Sequence, residues 1–282
     1  MPEGLEIYLD LRDVGHDGWL EQLLDRMSVV PREGFALLVE GPIRSLDGSF
    51  FDLTVDSAAN RALVDRLAAF GRAVGARAAC VHLISPTDDI GGVTPEDGLR
   101  LVDACGPLAC YYAARCRDAG MVPTVENIPP VARMRESRVM ASRVGCPPEH
   151  LARLADRVDG LRFTVDTSHA QLFLNATRDG GDFESLRCSM RAASSARTMA
   201  EFLAPLRGRV ETVHVSDAEG ILGEGLPYGE GTMDLDAAVD MLLPEARWIV
   251  TEVLEPDPNS SERMRAAWRR IAQRRDLVGV AA

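Results

Sequence analysis

Acidic and histidine side chains close six apolar stretches of this chain. In "RFTVDTSHAQLF" (162–173), a β-prone stretch ends at Asp166, and His169 follows three residues later. A carboxylate or imidazole at the end of a buried strand is costly unless it is paired or bound to a metal. The residues in such positions are Glu40, His82, Glu126 with Asn127, Asp166 with His169, His214 with Asp217, and Glu252 with Glu255.

Converging strand ends would bring several of these acids within a few ångströms of one another. Like charges at that range repel strongly in a low dielectric, and a divalent cation is the simplest relief. We therefore expect Asp166 to be a metal ligand at a strand tip, with His169 in the following loop reaching the substrate or the edge of the metal. For Glu40 and His82, the sequence favours neither a binding role nor a structural role over the other. The residues that share one position relative to successive strands are Glu126, Asp166, His214 and Glu252.

Short β-rich stretches and longer helical patterns alternate along the chain and must position these residues. The helical spacing over 57–75 ends at Gly75, a typical C-cap, and Thr94 with Asp97 has the pattern of a helix N-terminus. This alternation predicts a parallel sheet with right-handed crossovers, and the length of 282 residues fits one (β/α)8 barrel. The predicted strands lie within 4–11, 35–41, 78–85, 121–129, 161–169, 210–217 and 247–255.

The pattern yields seven strands where a (β/α)8 barrel has eight. The segment 12–34 contains the helical stretch "GWLEQLLDRM" and little else, so a degenerate or missing strand is predicted near the N-terminus. Two alternatives are that "DLVGVAA" (276–282) supplies the strand and that the barrel is open at one edge. Since no linker or low-complexity tract divides the chain, residues 1–282 are predicted to form a single domain.

Composition indicates a globular protein and disfavours several classes of partner. Hydrophobic residues make up 46% of the chain and charged residues 26%, with no apolar run long enough for a membrane span. A net charge of −12 disfavours nucleic acid. The N-terminal segment "MPEGLEIYLDLRDV" lacks the pattern of a signal peptide, so a cytoplasmic location is expected.

The six cysteines form no C-x-x-C pair and are expected to be reduced and mostly buried. His16 and His150 are expected at the surface.

The chain contains no lysine, because all 31 basic residues are arginine. A Schiff base requires an amine that can lose its proton, which a guanidinium group does not provide. Schiff-base aldolase chemistry, lysine-anchored pyridoxal phosphate and a P-loop lysine are therefore excluded.

Five motifs resemble those of the xylose isomerase-like TIM-barrel superfamily. They are "VENIP" (125–129), "VDTSHA" (165–170), "VHVSD" (213–217), "GEGTMD" (229–234) and "TEVLE" (251–255), in this order and spacing. This sugar phosphate isomerase/epimerase group also includes abasic-site endonucleases, inosose dehydratases and dehydroshikimate dehydratases. The resemblance covers roughly residues 35–255 and implies the barrel fold more firmly than any one chemistry.

The resemblance implies a metal site and a set of proton-transfer groups. The residues at the positions of the family's metal ligands are Glu126, Asp166, His214 and Glu252. Glu126 and Glu252 would also move protons on opposite faces of the substrate, and His169 would contact it. Three carboxylates and one imidazole suit Mn²⁺ best, with Mg²⁺, Co²⁺ or Zn²⁺ as alternatives. Such a metal would polarise a carbonyl group and stabilise an enediolate after removal of the α-proton.

Further polar residues at the barrel mouth are predicted to bind the substrate. The glycine-rich loop "GILGEGLPYGEGTMD" (220–234) can bring backbone N–H groups close to a ligand, and Tyr228 within it would stack on or cap a substrate. The predicted substrate-binding residues are Glu40, His82, Asn127, His169, Asp217 and Tyr228.

The sequence thus favours a metal-dependent isomerase or epimerase acting on a small polyhydroxy carbonyl compound. The alternative is a lyase that dehydrates an inosose- or dehydroshikimate-type ring, because it needs the same metal and the same proton removal. An abasic-site endonuclease is less favoured, since its trinuclear zinc site requires histidines on more strands and this chain has five in all. A non-catalytic barrel is disfavoured because all four candidate ligands are present. A homo-oligomer remains open, and neither nucleic acid nor a membrane is expected as a partner.

Overall fold

Seven parallel strands form one curved sheet in the computed structural model, which describes residues 3–30, 34–89, 94–133, 139–178, 184–257 and 259–278. Each strand pairs with its neighbours in chain order, so the sheet curls into a nearly closed barrel, and all seven predicted strands are confirmed. The strands are β1 (Gly4–Tyr8), β2 (Ala36–Glu40), β3 (Ala78–His82), β5 (Val122–Glu126), β8 (Arg162–Asp166), β9 (Val210–Val215) and β12 (Trp248–Thr251).

Helices connect the strands. In α3 the side chain of Ser57 caps the first turn, Gly75 ends the helix at φ 70°, and Leu63, Leu67 and Phe70 lie on the buried face. Thr94 caps α4 as predicted. The helices are α1 (Leu11–Val14), α2 (Trp19–Arg26), α3 (Ala58–Val74), α4 (Pro95–Ala104), α5 (Gly106–Asp118), α6 (Pro148–Ala155), α7 (Thr167–Arg178), α8 (Glu184–Ala193), α9 (Met199–Leu203), α10 (Leu235–Leu242) and α11 (Glu262–Val278).

Two small antiparallel sheets follow barrel strands at their carboxyl ends. One has the order β4-β7-β6, formed by Pro86–Thr87, Val139–Ser142 and Val131–Arg133. The other is a hairpin of β10 (Asp217–Glu219) and β11 (Gly223–Leu226) after β9. Since active sites of parallel barrels lie at this end, both sheets are placed to border the mouth.

The place without a strand lies between β12 and β1, beside the N-terminal strand and not between β1 and β2. β1 pairs directly with β2 from Gly4–Ala36 to Tyr8–Glu40, which leaves no room for a strand there. Within the described ranges, no strand joins β12 to β1, and we call this opening the seam. Of the C-terminal segment suggested as a strand, residues 276–278 belong to α11, while 279–282 lie outside the described residues. The structure therefore agrees with the prediction of a strand missing near the N-terminus and of a barrel open at one edge.

Buried apolar residues fill the space between the sheet and the helices. All six cysteines are free thiols, and four of them are buried, as predicted. His150 is buried rather than on the surface, because its ring packs against Gly98 and its Nδ1 accepts the N–H of Gly145. Burial lowers the pKa of His150 to about 4, so the ring is neutral. In the described part of the chain, no helix has the length and apolar content needed to cross a membrane.

Candidate metal centre and substrate cavity

Four side chains from neighbouring strands converge at the mouth. Asp166 at the end of β8 is paired in register with His214 of β9, and Glu252 directly follows β12. The Nδ1 atom of His214 lies 2.7 Å from an oxygen of Glu252 and 3.4 Å from an oxygen of Glu126. One ligand atom from each of Glu126, Asp166, His214 and Glu252 lies within 4.8 Å of the others. The structure therefore brings the four predicted ligands together.

Burial distinguishes Glu252 from the other three members of this group. The side chains of Glu126 and His214 are each 1% exposed, whereas that of Glu252 is 47% exposed and lines a cavity. Glu252 is therefore the member most accessible to a ligand in the cavity.

The carboxyl groups have divergent acidities. Burial raises the pKa of Asp166 to about 6, with the charges of Glu252 and Glu126 adding to the rise and that of His169 opposing it. Burial acts in the same direction on Glu126, but His214, His82 and a hydrogen bond from His169 outweigh it and hold its pKa well below the ordinary value. The pKa of Glu252 is lowered as well, chiefly by the charge of His214 against the effect of burial.

The donor set fits a divalent cation. Three carboxylates and one imidazole form the mixed oxygen and nitrogen environment that Mn²⁺, Mg²⁺, Co²⁺ and Zn²⁺ accept. Within the described ranges, neither ring nitrogen of His214 has an aligned hydrogen-bond partner, although both are buried. A buried imidazole nitrogen that faces carboxylates without a hydrogen bond is suited to coordination.

Asp166 also determines where α7 begins. One oxygen of its carboxylate accepts hydrogen bonds from the backbone N–H of His169 at 2.6 Å and the hydroxyl of Ser168 at 2.8 Å. This interaction starts the helix at Thr167, immediately after β8. His169 therefore lies in the first turn of α7 and not in a loop, which corrects the prediction.

The ring of His169 lies between the metal cluster and the cavity. Its Nδ1 is 2.9 Å from the carbonyl oxygen of Asn127 and 3.3 Å from a carboxylate oxygen of Glu126. Its Nε2 lies 3.6 Å from an oxygen of Glu224, which belongs to β11. Both His169 and Glu224 line the cavity, so His169 is placed to meet a substrate.

Glu40 and His82 form a second polar pair that lines the same cavity. His82 Nε2 lies 3.4 Å from Glu40 and 3.8 Å from Glu126, and ligand atoms of the three residues also fall within 4.8 Å of one another. Burial, with the charges of Glu252 and Glu126, raises the pKa of Glu40 well above its ordinary value. A protonated Glu40 is a hydrogen-bond donor, which suits contact with a hydroxyl or carbonyl oxygen.

Three other predicted substrate-binding residues have their polar groups engaged elsewhere. The side-chain amide of Asn127 exchanges two hydrogen bonds with the backbone of Asp166, at 2.8 and 3.0 Å. Asp217 accepts the backbone N–H groups of Ala218 and Gly229. The hydroxyl of Tyr228 donates to Asp236 of α10, on the outside of the barrel wall. Among the described residues that line the cavity, none of these three appears.

Two acids near the centre were not identified from the sequence. Glu6 of β1 places an oxygen 2.6 Å from Nε2 of His214, and Glu224 approaches His169. Glu6 lies two residues before the end of β1, so a search for strand-end residues passes over it. The sequence feature that could have identified Glu6 is that it is the single acid within the apolar stretch "GLEIY". Glu224 lies in the glycine-rich loop, where no buried apolar stretch precedes it to mark a strand end.

The cavity extends along the seam. It has a volume of about 1720 Å³ and is bordered by β1, residues 248–254 of β12 and its extension, and one face of α11. Asp166, His169 and Glu252 lie on its wall near the metal cluster, while Trp248 and Trp268 line its apolar part. The site thus combines a charged end with an apolar wall.

Comparison with solved structures shows the same fold in sugar epimerases. A D-tagatose 3-epimerase-like protein aligns with a TM-score of 0.66 at 14% identity, over 98% of this chain and 90% of the other. L-ribulose 3-epimerase aligns with a TM-score of 0.61 at 16% identity, over 98% and 85% of the two chains. Endonuclease IV from Thermus thermophilus aligns with a TM-score of 0.54 at 17% identity, over 96% and 89%. At these identities the likeness is one of fold alone.

Sequence comparison gives the family. A search of curated proteins finds no match. The family model described as xylose isomerase-like TIM barrel matches residues 34–273, which is most of the chain. This match covers the strand-end residues described above and agrees with the resemblance of the motifs. The chain belongs to the xylose isomerase-like TIM barrel family.

Proposed function

We propose that this chain is a divalent-metal-dependent epimerase or isomerase of a small, sugar-like polyhydroxy carbonyl compound. The observation that carries the proposal is the convergence of four potential ligands beside a cavity, with their ligand atoms within 4.8 Å of one another. Fold neighbours named as a D-tagatose 3-epimerase-like protein and L-ribulose 3-epimerase support this reaction class.

The metal would be held by the four side chains of the cluster and would polarise the carbonyl group of the substrate, which acidifies the neighbouring C–H bond. Mn²⁺ is the proposed ion, because the donor set is rich in carboxylate oxygen and contains one imidazole. His169 and Glu40 would bind hydroxyl groups of the substrate in the cavity.

Glu126 and Glu252 are the proposed proton-transfer groups. They extend from β5 and β12, two strands that β8 and β9 separate, so they approach the cluster from different sides. The pKa of each is held below its ordinary value by neighbouring histidines, against the effect of burial, so both are ionised at neutral pH. One carboxylate would remove the α-proton and the other would return a proton to the substrate.

Solvent deuterium exchange tests this proposal. Protein stripped with a chelator and reloaded with Mn²⁺ is incubated in D₂O with a panel of ketoses, inososes and dehydroshikimate. We expect metal-dependent uptake of deuterium at the carbon next to the carbonyl group of at least one compound. Product analysis separates epimerisation from dehydration, because a lyase performs the same proton removal but loses water.

Glutamine variants test the two carboxylates. Glu126→Gln and Glu252→Gln keep an oxygen donor but lose the titratable group, and each should lower turnover and exchange by at least about 100-fold at saturating metal. Glu255→Gln is the matched control, because Glu255 lies three residues beyond Glu252 and accepts the backbone N–H of Met264 in α11. If either variant exchanges deuterium at the unmodified rate with metal bound, that glutamate is not a proton-transfer group.

A further inference from the structure

Glu6 is a buried carboxylate that the proposed reaction does not use. Its side chain is 7% exposed, and its Oε2 atom lies 2.6 Å from Nε2 of His214. Glu6 belongs to β1 and His214 to β9, so the contact crosses the interior of the barrel on the side of the seam. A buried carboxylate is costly unless a partner compensates its charge, and His214 is the partner at contact distance.

The two ring nitrogens of His214 face different groups. Nδ1 faces the ligand cluster, at 2.7 Å from Glu252 and 3.4 Å from Glu126, whereas Nε2 faces Glu6. A neutral imidazole carries one N–H donor and one lone pair, so the group beside one nitrogen determines what the other can offer. Glu252 is 47% exposed and Glu6 only 7%, so water screens the carboxylate at Nδ1 more strongly than the one at Nε2. Glu6 therefore favours the proton on Nε2 and leaves the lone pair on Nδ1.

We propose that Glu6 is a positioning residue that keeps the proton of His214 on Nε2 and orients the ring so that Nδ1 presents its lone pair to the ligand cluster. The proposal rests on the metal site of the proposed function. Histidine ligands of metals commonly donate their second N–H to a carboxylate, which fixes the tautomer and makes the ligand more basic. No sequence motif described above includes Glu6.

A second buried carboxylate provides the matched control. Glu211 lies three residues before His214 in β9, is 6% exposed, and forms an ion pair with Arg162 at 2.8 Å. Replacement of Glu211 removes a buried charge from the same barrel without touching His214. A loss of metal binding caused only by a weakened fold would therefore appear in both Glu211 and Glu6 variants.

Metal affinity is the first readout, measured by competition with a chromophoric chelator for Zn²⁺ and Mn²⁺. Glu6→Ala should weaken binding by about 10–100-fold, the usual cost of losing such a carboxylate. Glu6→Gln should recover part of this loss, because its amide oxygen keeps an acceptor at contact distance from Nε2. Glu211→Gln should bind with unchanged affinity. Binding by Glu6→Ala within about threefold of the unmodified protein would overturn the proposal.

The position of the ring proton is the second readout and does not require metal. In ¹⁵N spectra of chelator-treated protein at alkaline pH, the proton of His214 should be on Nε2 in the unmodified protein and in Glu6→Gln, and should be redistributed in Glu6→Ala. A proton on Nδ1 in the unmodified protein contradicts the proposal. Failure of the unmodified protein to bind any divalent metal would instead refute the proposed function, while these spectra still decide the role of Glu6.

Discussion

His169 is a substrate-contact residue in our proposal and not a metal ligand. Its Nδ1 lies 2.9 Å from the carbonyl oxygen of Asn127, which accepts hydrogen bonds and therefore favours a proton on that nitrogen. The protonated nitrogen has no lone pair for a metal, and Nε2 points toward Glu224 on the cavity wall. The arrangement leaves His169 free to bind or protonate an oxygen of the substrate.

Replacement of His169 should separate catalysis from metal binding. We expect His169→Ala to retain the metal content of the unmodified protein and to lose at least about 100-fold in turnover, because His169 would bind or protonate an oxygen of the reacting substrate. Metal analysis and turnover are measured on the same preparation. His16→Ala is the control, because His16 is exposed and belongs neither to the metal cluster nor to the described lining of the cavity. A parallel loss of metal and activity would identify His169 as a ligand.

The residues of the cluster were predictable because they share one position relative to successive strands. Parallel strands bring their carboxyl ends together, so Glu126, Asp166, His214 and Glu252 could be grouped without a structure. Glu6 could not, since it lies within its strand and its partner is distant in sequence. The engagement of Tyr228 with Asp236 was equally unpredictable, because nothing in a glycine-rich loop indicates which way a side chain turns.

Among the elements, the hairpin of β10 and β11 is held by Asp217. Its two carboxylate oxygens accept the N–H groups of Ala218 at 2.8 Å and Gly229 at 3.0 Å. A Cβ atom on Gly231 would approach Asp217 to 2.3 Å, so this close approach requires glycine. Because the hairpin carries Glu224, Asp217 indirectly places that carboxylate beside His169.

Removal of this carboxylate should loosen the hairpin and leave the metal centre intact. Asp217→Ala leaves the buried N–H of Ala218 and the partly buried N–H of Gly229 without their acceptor, at a cost of about 1–3 kcal/mol in the free energy of unfolding. We expect faster amide exchange over residues 218–231, a higher KM and an unchanged metal affinity. Asp234→Ala, which removes the cap of α10, is the control and should affect that helix instead. Unchanged amide exchange in the hairpin would contradict this role of Asp217.

Local sequence patterns predicted the helices and strands, but they did not predict how the sheet closes into a barrel. Alternating apolar stretches located all seven barrel strands, and Gly75 and Thr94 marked helix ends where they were predicted. The seam depends on which strands meet at the end of the sheet, which is a long-range property. Strand spacing along the chain therefore gave the number of strands and a gap near the N-terminus, but not which two strands border that gap.

For the molecule as a whole, the seam determines the size of the cavity. No described strand fills the space between β12 and β1, and the volume of about 1720 Å³ exceeds the roughly 300–1000 Å³ typical of ligand pockets. One end of this space holds a concentration of charge within a chain of net charge −12. The acidic residues at this end are Glu6, Glu40, Glu126, Asp166 and Glu252, and His82, His169 and His214 lie among them.

This charge gives the stability of the barrel a definite dependence on pH. Burial raises the pKa of Asp166 to about 6. The free energy that its protonation contributes to folding is therefore fully present below its ordinary pKa of 3.8 and is lost as pH rises through about 6. Burial lowers the pKa of His214, but Glu6, Glu126 and Glu252 outweigh it and raise it well above 6.5, so that contribution also declines at alkaline pH. The pKa values of Glu126 and Glu252 are lowered, so the stability that these two carboxylates contribute is lost only as pH falls into the acidic range.

Chelator-treated protein should therefore lose stability between pH 5 and 9, and metal should restore it most at the alkaline end. The shift at Asp166 corresponds to about 3 kcal/mol over the whole rise from pH 3.8 to about 6, and about half of this loss falls above pH 5. The deprotonated groups that destabilise the chelated protein are the ones a cation binds. We expect the rise in melting temperature on adding Mn²⁺ to grow steadily with pH when measured by differential scanning fluorimetry. Glu211→Gln should show the same trend, since Glu211 pairs with Arg162 outside the cluster. A rise that stays constant from pH 5 to 9 would mean that these carboxylates and His214 do not jointly bind the metal.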